Sequence, residues 1–559
     1  MASLDLDPTT SIYLAHAVTG VLLHQLFFRR VEVDTHAFAI LMSLFAASAS
    51  LFSYLVFVTQ AAAFAAAWTS FIATSCLVAA MCASMLVYRV LFHPLRRFPG
   101  PVGAKATRWW TMGKVIQSNV RYWKVLGEMR DRYGDYVRTG PREITIFDAT
   151  TLPSILPLPK GPWYDMMETS MHTTRDTAFH RKRRRVWDQA FKTTSLAAFA
   201  PRVEALTDAL MARIAGQHLA TPVSANTLFT HYSYDVMSVL AFGQRAGFID
   251  GSASAAARSV LHHIESSLVA IGVLSPVPWL LGLVTTLFPF LLAPLLEYNR
   301  WSEAQVDARM KALEASKPLK DPSASSPSPA DTNPPDDDLF SHLLASTPST
   351  PAGRALLNAE SRLVIGAGSG TTSVALTVML VYLVRRPAAA AALRTAVDEA
   401  YSTGDFVCTK PLPALDAFIL ESLRLHPPVL FASQRVTGAA GLRLATSASA
   451  DDERNFLRAN EFLPERWTTR PELIVNRAAA MPFGAGPYNC VGRALAMMEL
   501  RSVLARLVRS FDVDFPEGEG EKFDEEAYFD QTKEQFTAGV GELRVVLRER
   551  RREGEGEGV

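Results

Sequence analysis

Three uncharged apolar runs open the chain. They read SIYLAHAVTGVLLHQLFF (11–28), AFAILMSLFAASASLFSYLVFV (37–58) and AAAFAAAWTSFIATSCLVAAMCASMLV (61–87). A membrane-crossing helix needs about 20 apolar residues at 1.5 Å each. The second and third runs meet that requirement; His16, His24 and Gln25 interrupt the first. Arg29 and Arg30 follow the first run, and Arg89, Arg96 and Arg97 follow the third. The excess of arginine predicts that both of these ends face the cytosol, with the N-terminus in the lumen. A three-helix membrane anchor is therefore expected over 1–88. The basic, proline-bearing stretch 89–101 forms a hinge, and a domain covers 102–550 on the cytosolic side.

Past residue 101 the apolar positions recur mainly at helical spacing. A few short alternating runs, such as EITIF (143–147) and ELRVVL (542–547), read as strands. The pattern predicts a mainly α domain with a small β-sheet. Residues 317–338 are rich in Pro, Ser and Asp and read as a disordered loop; 551–559 read as a flexible tail. The apolar stretch 275–298 is cut by Pro276, Pro278, Pro289 and Pro294, which predicts short helices lying on a membrane surface rather than a further span.

Composition adds limits. The 559 residues carry 56 Lys and Arg against 55 Asp and Glu, so charge gives no support for a nucleic-acid partner. Four cysteines at unpaired spacings suggest neither a disulfide framework nor a zinc site.

Chemistry concentrates in three later segments. In MPFGAGPYNCVGRALAMMELR (481–501), Cys490 stands between a glycine loop and a helix, where N–H groups and the helix dipole favour a thiolate. The reading as a small residue in a tight turn competes with the reading as a metal-bound or nucleophilic thiolate. RLVIGAGSGTTSVALTVMLVYLVRR (362–386) predicts a long buried helix with Gly366, Gly368 and Gly370 at its middle, followed by Thr371 and Thr372. Interior glycines cost up to about 1 kcal/mol each relative to alanine. They imply either a close helix crossing or a flat ligand laid against the helix beside a proton-passing hydroxyl. In AFILESLRLHPPV (417–429), Glu421 and Arg424 share one helix face, and Arg466 of FLPERW (462–467) is placed to complete a buried, structural ion cluster.

These segments, in this order, resemble the cytochrome P-450 family of haem-thiolate monooxygenases, in its fungal microsomal form. FGAGPYNCVG (483–492) resembles the F-G-x-G-x-basic-x-C-x-G loop, ESLR the E-x-x-R motif, PERW the P-E-R-F/W motif, and AGSGTT (367–372) the A-G-x-D/E-T-T motif. The resemblance implies a P-450 fold that holds haem b, with Cys490 as its axial iron ligand. Phe483, Gly484, Gly486, Tyr488, Gly492 and Gly368 would contact the cofactor. His180, Arg184 and Arg435 would meet its propionates, and Thr371 would be catalytic. It further implies insertion of one oxygen atom from O2 into a lipophilic small molecule, in fungal secondary metabolism. NADPH electrons would come through a separate NADPH-cytochrome P-450 reductase, docked in part by the basic cluster 181–185. The location implied is the endoplasmic reticulum membrane, multi-pass. Glu421, Arg424 and Arg466 would be structural.

Three departures accompany the resemblance. The helical acid is Gly370, the basic residue two before the cysteine is Tyr488, and only 28 residues (436–463) separate Arg435 from Pro464, where the family has a further strand pair and helix. Gly370 keeps open a haem-thiolate isomerase or dehydratase without O2 activation. The short segment keeps open an inactive, membrane-bound relative.

Overall fold

The computed structural model describes residues 7–315, 338–430, 434–438, 441–442 and 452–550, without the side chains of 217, 218, 262, 263 and 265–267. Contacts divide the chain into two compact units, Met1–Asp148 with Ile271–Leu292, and Ala149–Ala270 with Ala293–Val559.

The first unit carries the apolar runs as helices Pro8–Leu23, Ala37–Phe57 and Ala63–Val87; a π-helical turn extends the first to Phe28 and the third to Phe92. All three are long and apolar enough to cross a membrane. The first and third pack closely. A methyl on Gly20 would sit 2.2 Å from the Leu77 carbonyl oxygen, so only glycine lets the two backbones approach. A hairpin of strands Tyr136–Gly140 and Glu143–Ile146 follows. Within 275–298 only Pro278–Leu287 and a 3-10 turn at Pro289–Leu292 are short. The rest belongs to a long helix, Ala293–Ala315, because Pro294 sits in its first turn, where proline costs nothing. The short helix packs against Ala37–Phe57, and Phe288, Phe290 and Leu291 are exposed.

The second unit is helical around one apolar core. The glycine helix, Pro351–Arg385, runs through it, packed against Ala225–Phe242 and Pro413–Leu425 and against the helix after Cys490, Arg493–Ser510. This is the long buried helix read from the sequence. Among its described residues the named strands form two small antiparallel sheets. One is three-stranded in the order Pro222–Ser224, Arg544–Glu549, Phe511–Asp514; the other pairs Lys533–Glu534 with Ala538–Gly539.

Most of the loop expected over 317–338, and the tail 551–559, lie outside the described residues. Asp338 is described and ordered: it caps helix Leu339–Ala345 through the Ser341 N–H and meets Arg309 at 2.6 Å.

Candidate functional site

The loop before Cys490 turns twice through the left-handed region, at Gly484 (φ 64°) and Gly486 (φ 71°), where a side chain would be strained. The Cys490 N–H donates to the Phe483 carbonyl at 2.8 Å, closing the loop. Gly492 caps the helix Arg493–Ser510, so the thiol sits just ahead of the helix N-terminus, as the spacing predicts. The thiol is accessible, yet burial among surrounding protein pushes its pKa up and outweighs the Gly492 N–H and the charges of Arg184 and Arg493. The helix-end N–H groups of Gly492 and Arg493 lower it, as the sequence reading expects, but by less than burial raises it. The loop poises a thiol, and a bound metal cation would supply the charge that deprotonates it.

Tyr488 is the hub of a cationic cluster. Lys160 Nζ lies 4.8 Å from its ring centre, the Arg435 guanidinium 4.8 Å, and the His180 ring 4.7 Å. Residue 160 bridges to 435 as an antiparallel pair, with the Gly161 N–H on the Gln434 carbonyl and the Val436 N–H on the Pro159 carbonyl. Lys160 is 3% exposed, and its ammonium donates to the carbonyls of Met171 and His172. Burial, then Arg435, pulls Lys160 down to about 7. Burial, then Lys160, pulls both His172 and His180 down to about 4. Among the described residues, Asp188 is the one carboxylate that helps set these values, and Arg184 already holds it at 2.8 Å. Arg184 also donates to the Asn489 carbonyl, beside the cysteine.

A buried cationic cluster without a matching anion is costly. His172 Nε2 is buried with no hydrogen-bond partner among the described residues. An accessible soft thiol on a glycine loop and a cluster short of negative charge among the described residues fit a haem, whose iron takes thiolate and whose propionates take cations.

On the glycine helix, Gly366, Ala367, Gly370 and Thr371 share the less buried face, while Ser369 and Thr372 are buried. Thr371 Oγ1 donates to the Ala367 carbonyl at 2.7 Å. Gly368 does not share that face. A methyl there would lie 2.5 Å from Met237 Sδ, so this glycine serves a close crossing with Ala225–Phe242. At Gly370 a methyl would lie 3.3 Å from Thr537 Oγ1.

Glu421 is fully buried and receives five hydrogen bonds: two from Arg424 at 2.9 Å, and one each from Arg466 at 2.8 Å, the Leu463 N–H at 2.9 Å and Trp467 Nε1 at 2.9 Å. The remaining guanidinium donors reach backbone carbonyls of Leu457, Arg458, Ala459, Glu461 and Leu473. Burial alone would raise the Glu421 pKa; hydrogen bonds and charge from Arg424, with the Leu463 N–H and Arg466, outweigh it and lower it.

The basic run 181–185 divides. Arg181, Lys182 and Arg185 are exposed, but Arg183 is buried against Glu360 in a bidentate pair, and Arg184 faces the cysteine loop. Three side chains of the cluster, not five, thus present charge to solvent. Lys160 and His172 escaped the sequence reading. The available signal was a lone cation in the proline-bounded apolar run LPLPKGPW.

The sequence model of the cytochrome P-450 family matches residues 104–440 and 442–537, with its single break inside the shortened 436–463 stretch. Similar curated proteins include the cytochrome P-450 monooxygenase FCK2 of Fusarium pseudograminearum, 32% identical over 91% of this chain and 92% of that protein. Another is the cytochrome P-450 monooxygenase phqL of Penicillium fellutanum, 31% identical over 95% and 94%. Tryprostatin B 6-hydroxylase of Aspergillus fumigatus is 31% identical over 84% and 83%. A family match spanning most of the chain, together with these relatives, places the protein in the cytochrome P-450 family, as a monooxygenase-type oxidoreductase behind apolar N-terminal helices.

Proposed function

We propose that the chain is a haem-thiolate monooxygenase that inserts one oxygen atom of O2 into a lipophilic product of fungal secondary metabolism. Its electrons come from NADPH through a separate membrane-bound reductase. The observation that carries this reading is the accessible Cys490 thiol, set on its glycine loop beside a cationic cluster that lacks its anions. The relatives named as monooxygenases, one of them for 6-hydroxylation of tryprostatin B, support it.

In this reading Cys490 would ligate the iron, while Lys160, Arg435, His180 and the Tyr488 hydroxyl would hold the propionates. Arg184 fixes the Asn489 carbonyl and so the approach of the loop. When bound, the haem supplies O2 activation, favoured by the electron-donating thiolate. Thr371 is the proton-handling group of the chain. Its hydroxyl rests on the Ala367 carbonyl and would hold and pass a proton on this face of the helix, while the neighbouring Gly370 offers no carboxylate to relay it. The small residues on the open helix face leave room for a flat group and a substrate. The exposed Arg181, Lys182 and Arg185 would contribute to reductase docking, and the endoplasmic reticulum membrane, with the catalytic domain cytosolic, is the proposed location.

A carbon monoxide difference spectrum of the reduced full-length protein tests thiolate ligation, and NADPH- and reductase-dependent product formation tests the reaction. Gly370 favours one second reading, an isomerase or dehydratase acting on an already oxidised substrate. Turnover without NADPH, with the thiolate spectrum intact, would select it.

A further inference from the structure

The first unit holds a groove of about 690 Å³ between the first and third apolar helices, lined by Val21, Ala80, Ala83 and Val87 along its length and by Gln25, Ser84, Arg29, Tyr88 and Phe92 toward one end. The helices run in parallel there. Gly20 meets Leu77, His24 bonds Ser84 at 2.7 Å, and the His24 and Tyr88 rings touch edge to face. Polarity thus rises in one direction along the groove, over about 12 Å from Val21 to Arg29 at 1.5 Å per residue.

The polar end is strongly positive. The Arg29 guanidinium carbon stands 4.4 Å from the centre of the Tyr88 ring, a contact that uses none of its N–H donors, and it gives one to Gln25 Oε1 at 3.3 Å. The hairpin after the anchor adds two more guanidiniums. Arg142 donates to the Phe28 carbonyl at 3.0 Å, and Arg138 to the Arg89 carbonyl at 2.9 Å. Arg138 is fully buried, and its Nε and Nη1 have no hydrogen-bond partner among the described residues. The field reaches His93, which burial, then Arg138, Arg142, Arg89 and Arg29, pull down to about 4.

We propose that this groove binds one anionic glycerophospholipid, with its phosphate at Arg29 and Tyr88 and an acyl chain along Val21, Ala80 and Ala83. An acyl chain matches the apolar walls, which face the interior of a bilayer when these helices span it. A phosphate matches the guanidinium end, because Arg takes phosphate in bidentate fashion. A hydrogen bond to a charged group contributes about 1 kcal/mol more than one to a neutral group, about a fivefold preference. The inference rests on the membrane-spanning reading of these helices.

The test is electron spin resonance of the full-length, haem-loaded protein in phosphatidylcholine bilayers carrying trace spin-labelled phosphatidylserine or phosphatidylcholine. Phosphatidylserine should be immobilised about fivefold more strongly, and the preference should survive 0.5 M salt, which screens a diffuse surface charge. Arg29→Gln should abolish the preference, Arg29→Lys should retain part of it, and Arg30→Gln should leave it unchanged. Ala80→Phe, which fills the groove and keeps its charge, should lower it; an unaltered preference there overturns the groove. Equal immobilisation of the two lipids, or an Arg30→Gln loss as large as that of Arg29→Gln, overturns the proposal. Competition by millimolar inorganic phosphate would make it a free-anion site and likewise overturn it. Extraction in alkaline carbonate separates the two failures. Release of the protein overturns the spanning helices and the lipid site together, whereas retention with no lipid preference overturns the lipid site alone.

Discussion

Two buried charge clusters lie within the second unit, and they are built to opposite rules. Around Glu421, one carboxylate meets two guanidiniums, and the remaining donors end on carbonyls. Around Tyr488, Lys160, Arg435 and His180 converge, and among the described residues Asp188, the carboxylate that acts on His180, is held by Arg184. The first cluster is closed and asks for nothing. The second is short of negative charge, which the protein accepts by holding His172 and His180 neutral and weakening the Lys160 proton. A balanced buried cluster serves architecture; an unbalanced one is a candidate ligand site.

The largest test of this contrast is Cys490→Ser. A hydroxyl is a poor soft ligand, so the thiolate carbon monoxide signature and all turnover should vanish. Cys408→Ser should keep the signature. Its thiol is 1% exposed and burial pushes it up to about 12, so the exchange should appear instead as a loss of about 1–3 kcal/mol in a denaturant titration. A surviving signature in Cys490→Ser would refute the ligand assignment.

Next come one substitution in each cluster. Glu421→Gln strips the counter-charge from two buried arginines and should cost about 3–5 kcal/mol, read as a collapse of the thermal midpoint. Lys160→Met removes a cation from a site with too many. The haem-free domain should keep or gain stability while haem dissociates faster into an apomyoglobin trap. If Lys160→Met destabilised the haem-free domain as Glu421→Gln does, the two clusters would be alike and the contrast would fail.

The pH windows differ as well. Glu421 has its pKa lowered on folding, so its contribution is present above the unfolded value of about 4.3 and is lost as pH falls through the folded value. His172 and His180 take up protons near pH 6.5 when unfolded but only near 4 when folded. The haem-free domain should therefore lose stability already between pH 6.5 and 4, where the unfolded chain binds more protons. Urea midpoints should show that slope, and His172→Gln with His180→Gln should reduce it without touching the acid limb, the remainder coming from His231 and His426, which burial pulls down to about 4 and about 3.

The smallest effect separates two glycines of one helix. Gly368→Ala drives a methyl into Met237 and should cost about 1–3 kcal/mol, the range of overpacking. Gly370→Ala meets Thr537 at 3.3 Å and gains about 1 kcal/mol of helix propensity, so its midpoint should move little.

The sequence by itself determined the apolar helices, the long glycine helix, the cysteine loop, and the Glu421 cluster with its partner Arg466. Each is written in local periodicity, in a short motif whose backbone needs glycine, or in a pairing of charges that burial makes obligatory. Only the tertiary structure decided which interior glycine faces a neighbouring helix and which an open face, because 3.6 residues per turn fixes relative direction but not what stands opposite. It also decided that Arg183 leaves the exposed basic run to meet Glu360. Above all it assembled the Tyr488 cluster. Lys160 and Arg435 stand far apart in the chain and meet through one bridge pair, so no local pattern announces them. Their meaning comes from the missing counter-charge, a property of the folded neighbourhood that no single segment contains.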